Sequence, residues 1–193
     1  LDRKSPSLGK KAPKGAVVRS DGSTAKHFQG GRVQDGSLRE GIRSHRNFQD
    51  FHLHMEFTLA YMPAARGQGR SNSGCYMQGR YEVQILDSFG LAGKHNECGG
   101  IYSTKPPLLN MCYPPLSWQT YDVEFTAAKF KDGKKVANAI MTVHHNGVLI
   151  HDKTVCDHAT TASPMREGPQ PGPVFFQNHG NPVRYRNIWV VEK

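Results

Sequence analysis

Apolar and polar residues alternate along much of the chain with the period of two that marks a β-strand with one buried face. The clearest run spans residues 51–59. Phe51, Leu53, Met55, Phe57 and Leu59 share one side, and His52, His54, Glu56 and Thr58 the other. A second run covers 75–86, with Cys75, Met77, Tyr81, Val83 and Ile85 on one face and Tyr76, Gln78, Arg80, Glu82 and Gln84 on the other. Between them, the glycines and serines of 66–74 form a turn-rich loop. Further strands are predicted over 119–127, 137–145, 148–154, 174–177 and 183–191. Asn146-Gly147, between two of these, is a strong two-residue hairpin signal. Residues 88–117 hold glycines, prolines and little periodicity, so they read as a long surface loop with one short strand at 100–103, a kind of segment that often carries function. No segment longer than about ten residues keeps a clean helical period. Many antiparallel strands without βαβ alternation predict an all-β protein of two packed antiparallel sheets, a β-sandwich or jelly roll.

Composition agrees with this. The 193 residues suit one domain, and 20 Gly and 12 Pro suit a loop-rich β-protein. No apolar run reaches the ~18 residues of a membrane span. The formal charge of +9 is uneven: residues 1–19 hold six bases (Arg3, Lys4, Lys10, Lys11, Lys14, Arg19) against Asp2, which is +5 and leaves +4 for the rest. No nucleic-acid partner is therefore expected. Residues 1–14 are predicted to be a flexible basic segment, with self-association through that segment as the alternative, and 15–193 a single jelly-roll domain. A chain that opens at Leu1 is expected to be the processed product of a secreted or periplasmic protein. Cys75, Cys98, Cys112 and Cys156 have no C-x-x-C spacing, so no structural zinc is assigned. Cys98 and Cys112 flank one loop, where a disulfide and a pair of free thiols are both open; Cys75 reads as a buried thiol.

The polar face of the second run, with Asp87 just beyond it, is too mixed in charge for a plain solvent edge. It reads as the floor of a groove, against the alternative of a salt-bridged outer face. Two carboxylates and an Arg offer a base, an acid and a cation that can drive their pKa values apart. His52, His54 and Glu56 also share a strand face, but the sequence requires no further ligand and no metal site is assigned. Trp118, with Tyr102 and Tyr113 nearby, is a candidate flat surface for a sugar ring.

Several motifs then point further. RGQGRSNSGCYMQGRYEVQILDSFG (66–90), ECGGIY (97–102), PPLSWQTYD (114–122), VHHNGV (143–148) and QNHGNPVRYRNIW (177–189) resemble, in order, those of the 3-keto-disaccharide hydrolase family over roughly residues 15–193. The resemblance implies a concanavalin A-like jelly roll similar to family-16 glycoside hydrolases, and a carbohydrate substrate. The family-16 catalytic strand reads E-x-D-x-x-E. On that pattern Glu82 matches the nucleophile, Gln84 the middle Asp and Asp87 the acid/base, so two of three positions differ. The family's substrate implies base-initiated elimination instead, with Glu82 as base, Arg80 or a bound divalent cation as electrophile, and His179 or Asp87 as acid. Within these motifs Asn72, Gln78, Arg80, Gln84, Trp118, Gln177 and Arg186 are the expected substrate-binding residues. A non-catalytic carbohydrate-binding or self-assembling β-sandwich is the alternative.

Overall fold

The computed structural model describes residues 4–193. The strands are β1 (Val18–Ser20), β2 (Phe28–Gln29), β3 (Val33–Gln34), β4 (Ser37–Arg39), β5 (Ile42–Phe48) and β6 (Phe51–Leu59), then β7 (Ser73–Met77) and β8 (Tyr81–Ile85). After the long loop come β9 (Trp118–Thr126), β10 (Lys129–Lys131), β11 (Lys134–Ala137), β12 (Ala139–His145), β13 (Val148–Cys156), β14 (Gly172–Phe176) and β15 (Val183–Glu192). The larger sheet runs β13-β12-β9-β6-β15-β4-β3, with β1 paired to β15; the smaller runs β2-β5-β14-β7-β8. Strands β10 and β11 form a separate hairpin. Two antiparallel sheets packed face to face bear out the jelly-roll expectation.

The core lies where the apolar faces meet. Phe51, Leu53, Met55 and Phe57 of β6 and Tyr121, Val123 and Phe125 of β9 face Cys75, Met77, Tyr81 and Val83 of the smaller sheet, all buried. Phe125 is the central contact, 5.3 Å from the ring of Phe51 and 5.5 Å from that of Tyr81. The β12–β13 turn is the predicted one, with Asn146 and Gly147 both at positive φ (51° and 77°) as a type I′ hairpin needs.

Two expectations change, and one open alternative is resolved. The strand at 100–103 is absent; Ile101 makes only isolated bridges to Val83 and Lys105. Strands β1–β5 and the β10–β11 hairpin are additional, the latter turning at Asp132-Gly133, a dipeptide with the same hairpin chemistry as Asn146-Gly147. All four cysteines are buried free thiols, so Cys98 and Cys112 form no disulfide; Cys98 Sγ lies 3.2 Å from the Tyr121 hydroxyl and Cys112 Sγ 3.5 Å from the Leu86 carbonyl.

The basic segment differs most. Residues 1–3 lie outside the described residues, but 5–10 do not extend freely: they cross the outer face of the larger sheet. Ser5 Oγ meets Thr120 Oγ1 at 3.0 Å, the Gly9 N–H donates to Glu56 Oε1 at 2.6 Å, and Lys10 Nζ donates to Asp122 Oδ1 at 2.7 Å. Trp189 Nε1 donates to the Lys10 carbonyl at 3.1 Å. The segment's described partners are thus its own chain, because the carboxylates on that sheet face give it somewhere to bind. The cover explains why His54 and Glu56, on the polar side of β6, are buried. Burial opposes the charge of Asp122, yet hydrogen bonds from His52, His54 and Lys10 hold it well below the usual carboxylate range.

A chain shortened to begin at Lys11 should therefore melt about 5 °C lower, from several lost hydrogen bonds at ~1 kcal/mol each, partly offset by rehydrated carboxylates. A calorimetric shift under ~2 °C would show instead that the segment rests on the sheet without stabilising it.

Candidate active site

The run over 75–86 is not one strand. Strands β7 and β8 pair as a hairpin, Cys75 with Val83, Tyr76 with Glu82 and Met77 with Tyr81. Gln78 and Gly79 turn with φ of 54° and 63°, closed by the Arg80 N–H on the Met77 carbonyl at 3.0 Å. Tyr76 and Glu82 thus stand side by side on the outer face of the smaller sheet. The predicted core-facing set, Cys75, Met77, Tyr81, Val83 and Ile85, is fully buried on the other side.

Glu82 borders a cavity of about 100 Å³ that it shares with Asn72, Gln84, Gln177 and His179. Gln68, Tyr102, Thr161 and Ala162 complete the wall. The local fold places each. The Glu82 N–H donates to Thr160 Oγ1 at 3.0 Å, fixing the loop that carries Thr161 and Ala162. The Tyr102 N–H donates to the Glu82 carbonyl at 3.2 Å, bringing the long loop alongside β8. Gln177 continues from β14 with its N–H on the Gly74 carbonyl at 2.9 Å. Gln68 is the organiser of the amides: its side-chain oxygen accepts from Gln84 Nε2 at 2.9 Å and its carbonyl from Asn72 Nδ2 at 2.7 Å. His179 is exposed at the rim.

Glu82 is only 3% exposed, and its carboxyl accepts a 2.8 Å hydrogen bond from the Tyr76 hydroxyl on Oε2. Burial pushes its pKa up to about 8, with the Tyr76 bond pulling the other way. A carboxyl so shifted is a stronger base when ionised and titrates near neutral pH, where proton transfer is most useful.

Of the residues expected from sequence, Glu82, Asn72, Gln84, Gln177 and His179 come together, and the other five do not. Arg80 sits on the turn rather than on a strand, so its guanidinium leaves the face. Its Nε donates to the Arg166 carbonyl and its Nη1 to the Gln170 carbonyl and Gln78 Oε1, each at 2.8 Å. Arg80 is thus a strap for the loop over 157–171, not an electrophile. Gln78, also in the turn, spends its Nε2 on the Phe48 carbonyl at 2.9 Å. Asp87 lies past the end of β8, its N–H on the Arg70 carbonyl at 2.8 Å, and does not border the cavity. Trp118 and Arg186 belong to β9 and β15 of the other sheet. There the guanidinium stacks 3.9 Å over the indole centroid and donates to Glu56 Oε2 at 2.7 Å.

Gln68, Thr161, Ala162 and the Tyr76 hydroxyl were not foreseen as site groups. Only Tyr76 carried a signal, its place on the polar face. Hollows of about 470 and 500 Å³ flank the N-terminal segment; the first borders Lys11, Asp21 and Lys26, and in the second the charged Lys10 and Asp122 already pair with each other. Among the described residues no three His, Cys, Asp or Glu side chains are arranged to hold a metal ion. In the cavity only Glu82 and His179 have metal-ligand chemistry, and any cation there would need amide or substrate oxygens as well.

A family described as the 3-keto-alpha-glucoside-1,2-lyase-like domain matches residues 10–191. The crystal structure of a proposed glycosyl hydrolase from Parabacteroides distasonis ATCC 8503 superposes with a TM-score of 0.86 at 31% identity, covering 94% of this chain and 85% of that one. A second from the same organism has a TM-score of 0.59 at 18% identity, covering 90% and 87%, and shares the fold. A search of the curated proteins finds no significant match. A carbohydrate-active role follows from the family and the first of these neighbours. With the match running almost end to end, the chain belongs to the 3-keto-alpha-glucoside-1,2-lyase-like family.

Proposed function

We propose that the chain cleaves glycosides whose sugar carries a ketone at C3, by elimination followed by hydration. The observation that carries this reading is a lone buried carboxyl, Glu82, set among neutral hydrogen-bonding groups in a small cavity. Retaining double displacement needs two carboxylates about 5 Å apart. Asp87, the sequence's second carboxylate, does not border that cavity. Elimination needs one base.

A ketone at C3 acidifies the hydrogen on C2. Glu82 takes that proton, and the C2–H electron pair forms an enolate with its charge on the C3 oxygen. As the carbonyl re-forms, a C1=C2 double bond forms, the C1–O bond to the aglycone breaks, and the leaving oxygen takes a proton from His179. Water then adds at C1=C2, its hydroxyl to C1 and its remaining proton to His179, while Glu82 returns the proton to C2. The sum is hydrolysis. With Arg80 and the Asn72 amide committed elsewhere, the donors for the enolate oxygen are the Tyr102 hydroxyl and the Gln177 amide N–H that does not bond Tyr76.

Incubation with 3-keto-trehalose or 3-keto-lactose should release the aglycone, while the unoxidised disaccharides stay intact because their C2 hydrogen is not acidic. Deuterium at C2 should slow the reaction or wash out into solvent. Cleavage of unoxidised glycosides at a comparable rate, with the C2 label retained, would contradict the elimination.

A further inference from the structure

We propose that Tyr76 is the positioning residue for Glu82, its hydroxyl oriented by Gln177 so that it holds one carboxyl oxygen and leaves the other for the substrate. The inference rests on Glu82 being the base. Tyr76 is fully buried on β7, directly across from Glu82 on β8, and its ring packs against Phe175 with centroids 5.5 Å apart. The hydroxyl has two neighbours, Glu82 Oε2 at 2.8 Å and Gln177 Nε2 at 3.3 Å. An amide N–H can only donate, so the hydroxyl oxygen accepts from Gln177 and its proton points at the carboxyl.

The two oxygens of Glu82 are therefore unlike. Oε2 is fixed by Tyr76, whereas Oε1 makes no hydrogen bond among the described residues and lies over the α-carbon of Gly74. Tyr76 cannot itself be the base, because burial, with the Glu82 charge adding to it, raises its pKa and keeps it protonated. Its hydrogen bond is also the influence that counters burial at Glu82. Removing the hydroxyl should make the carboxyl harder to ionise and looser in direction, with nothing lost from substrate contacts.

Tyr76→Phe keeps the ring and its packing, so the fold should survive. Two measurements on that variant separate the possibilities. One is the titration of the Glu82 carboxyl by ¹³C NMR in glutamate-labelled protein, assigned by the signal missing from Glu82→Gln. The other is kcat/KM against pH on a 3-keto-disaccharide. The expected result is a carboxyl midpoint raised by about one pH unit, and an ascending rate limb moved equally. Near neutral pH kcat/KM should fall ~10-fold, recovering as pH rises, with KM little changed. An unmoved carboxyl midpoint would overturn the inference and leave Tyr76 a packing residue. A midpoint that moves while the rate limb stays would keep Tyr76's hold on the carboxyl, but would remove Glu82 from the role of base.

Discussion

Glu82→Gln should lower turnover of a 3-keto-disaccharide by about 100-fold or more while leaving substrate binding nearly intact. Gln keeps the size of the side chain and can still accept from Tyr76, but it cannot take a proton. Steady-state kinetics with a separate binding measurement checks this; loss of affinity with turnover preserved would assign Glu82 to binding alone. The wild-type rate should climb as pH rises through about 8, where the carboxyl ionises, and the variant should lack that limb. Stability should move the opposite way. A carboxyl whose pKa is raised by folding favours the folded state most at pH below its unfolded value, and this is lost as pH rises toward about 8. Glu82→Gln should therefore melt above the wild type in alkaline buffer and show no such gain in acid.

Gly74→Ala should be the second severe change, although it adds one methyl group to a residue that carries no chemistry. Gly74 lies opposite Gln84, and a Cβ there would stand 2.8 Å from Glu82 Cδ and 2.8 Å from the Tyr76 ring. Its φ is not in the left-handed region, so the difficulty is space rather than backbone strain. The ring is packed and the carboxyl is tethered to it, so the methyl displaces the base and its positioning residue together. A misplacement of about 1 Å costs on the order of 100-fold in rate. We expect kcat/KM to fall by about that factor with the protein still folded. Activity within a few-fold of wild type would mean that the carboxyl is free to choose another position.

The long strands were legible because their two faces differ so sharply. Strand β6 begins and ends at the predicted residues, and β9, β12, β13 and β15 fall within two residues of theirs. Strand β5 was not legible. Of its seven residues only Ile42, Ser44 and Phe48 are buried, and Arg46 stands exposed where the alternation calls for an inward residue. Strands β1–β4 are too short to show a period. The hairpin at 78–80 was hidden for a geometric reason. Its partners are Met77 with Tyr81, Tyr76 with Glu82 and Cys75 with Val83, so each residue pairs with one of the same parity and alternation runs through the turn unbroken. Reading it as one strand placed Arg80 and Gln78 beside Glu82. Trp118 and Arg186 went astray because alternation shows which face a residue is on, never which sheet its strand joins. Glu82 and Gln84 were candidates from the polar run and Asn72, Gln177 and His179 from the family-like loop motifs, and these five border one cavity.

That turn also governs how its own length can change. With three residues between Met77 and Tyr81, Glu82 faces outward and Val83 inward. Cross-strand partners share a face whatever lies between them, so a residue added to the turn leaves Glu82 outward as long as it stays opposite Tyr76. A slip of β8 by one position along β7 is different: it would drive a carboxylate into the space between the sheets and turn a valine outward. The turn can thus vary in length while the pairing beside it cannot shift, because the outward place of one carboxyl is held by the strand across from it.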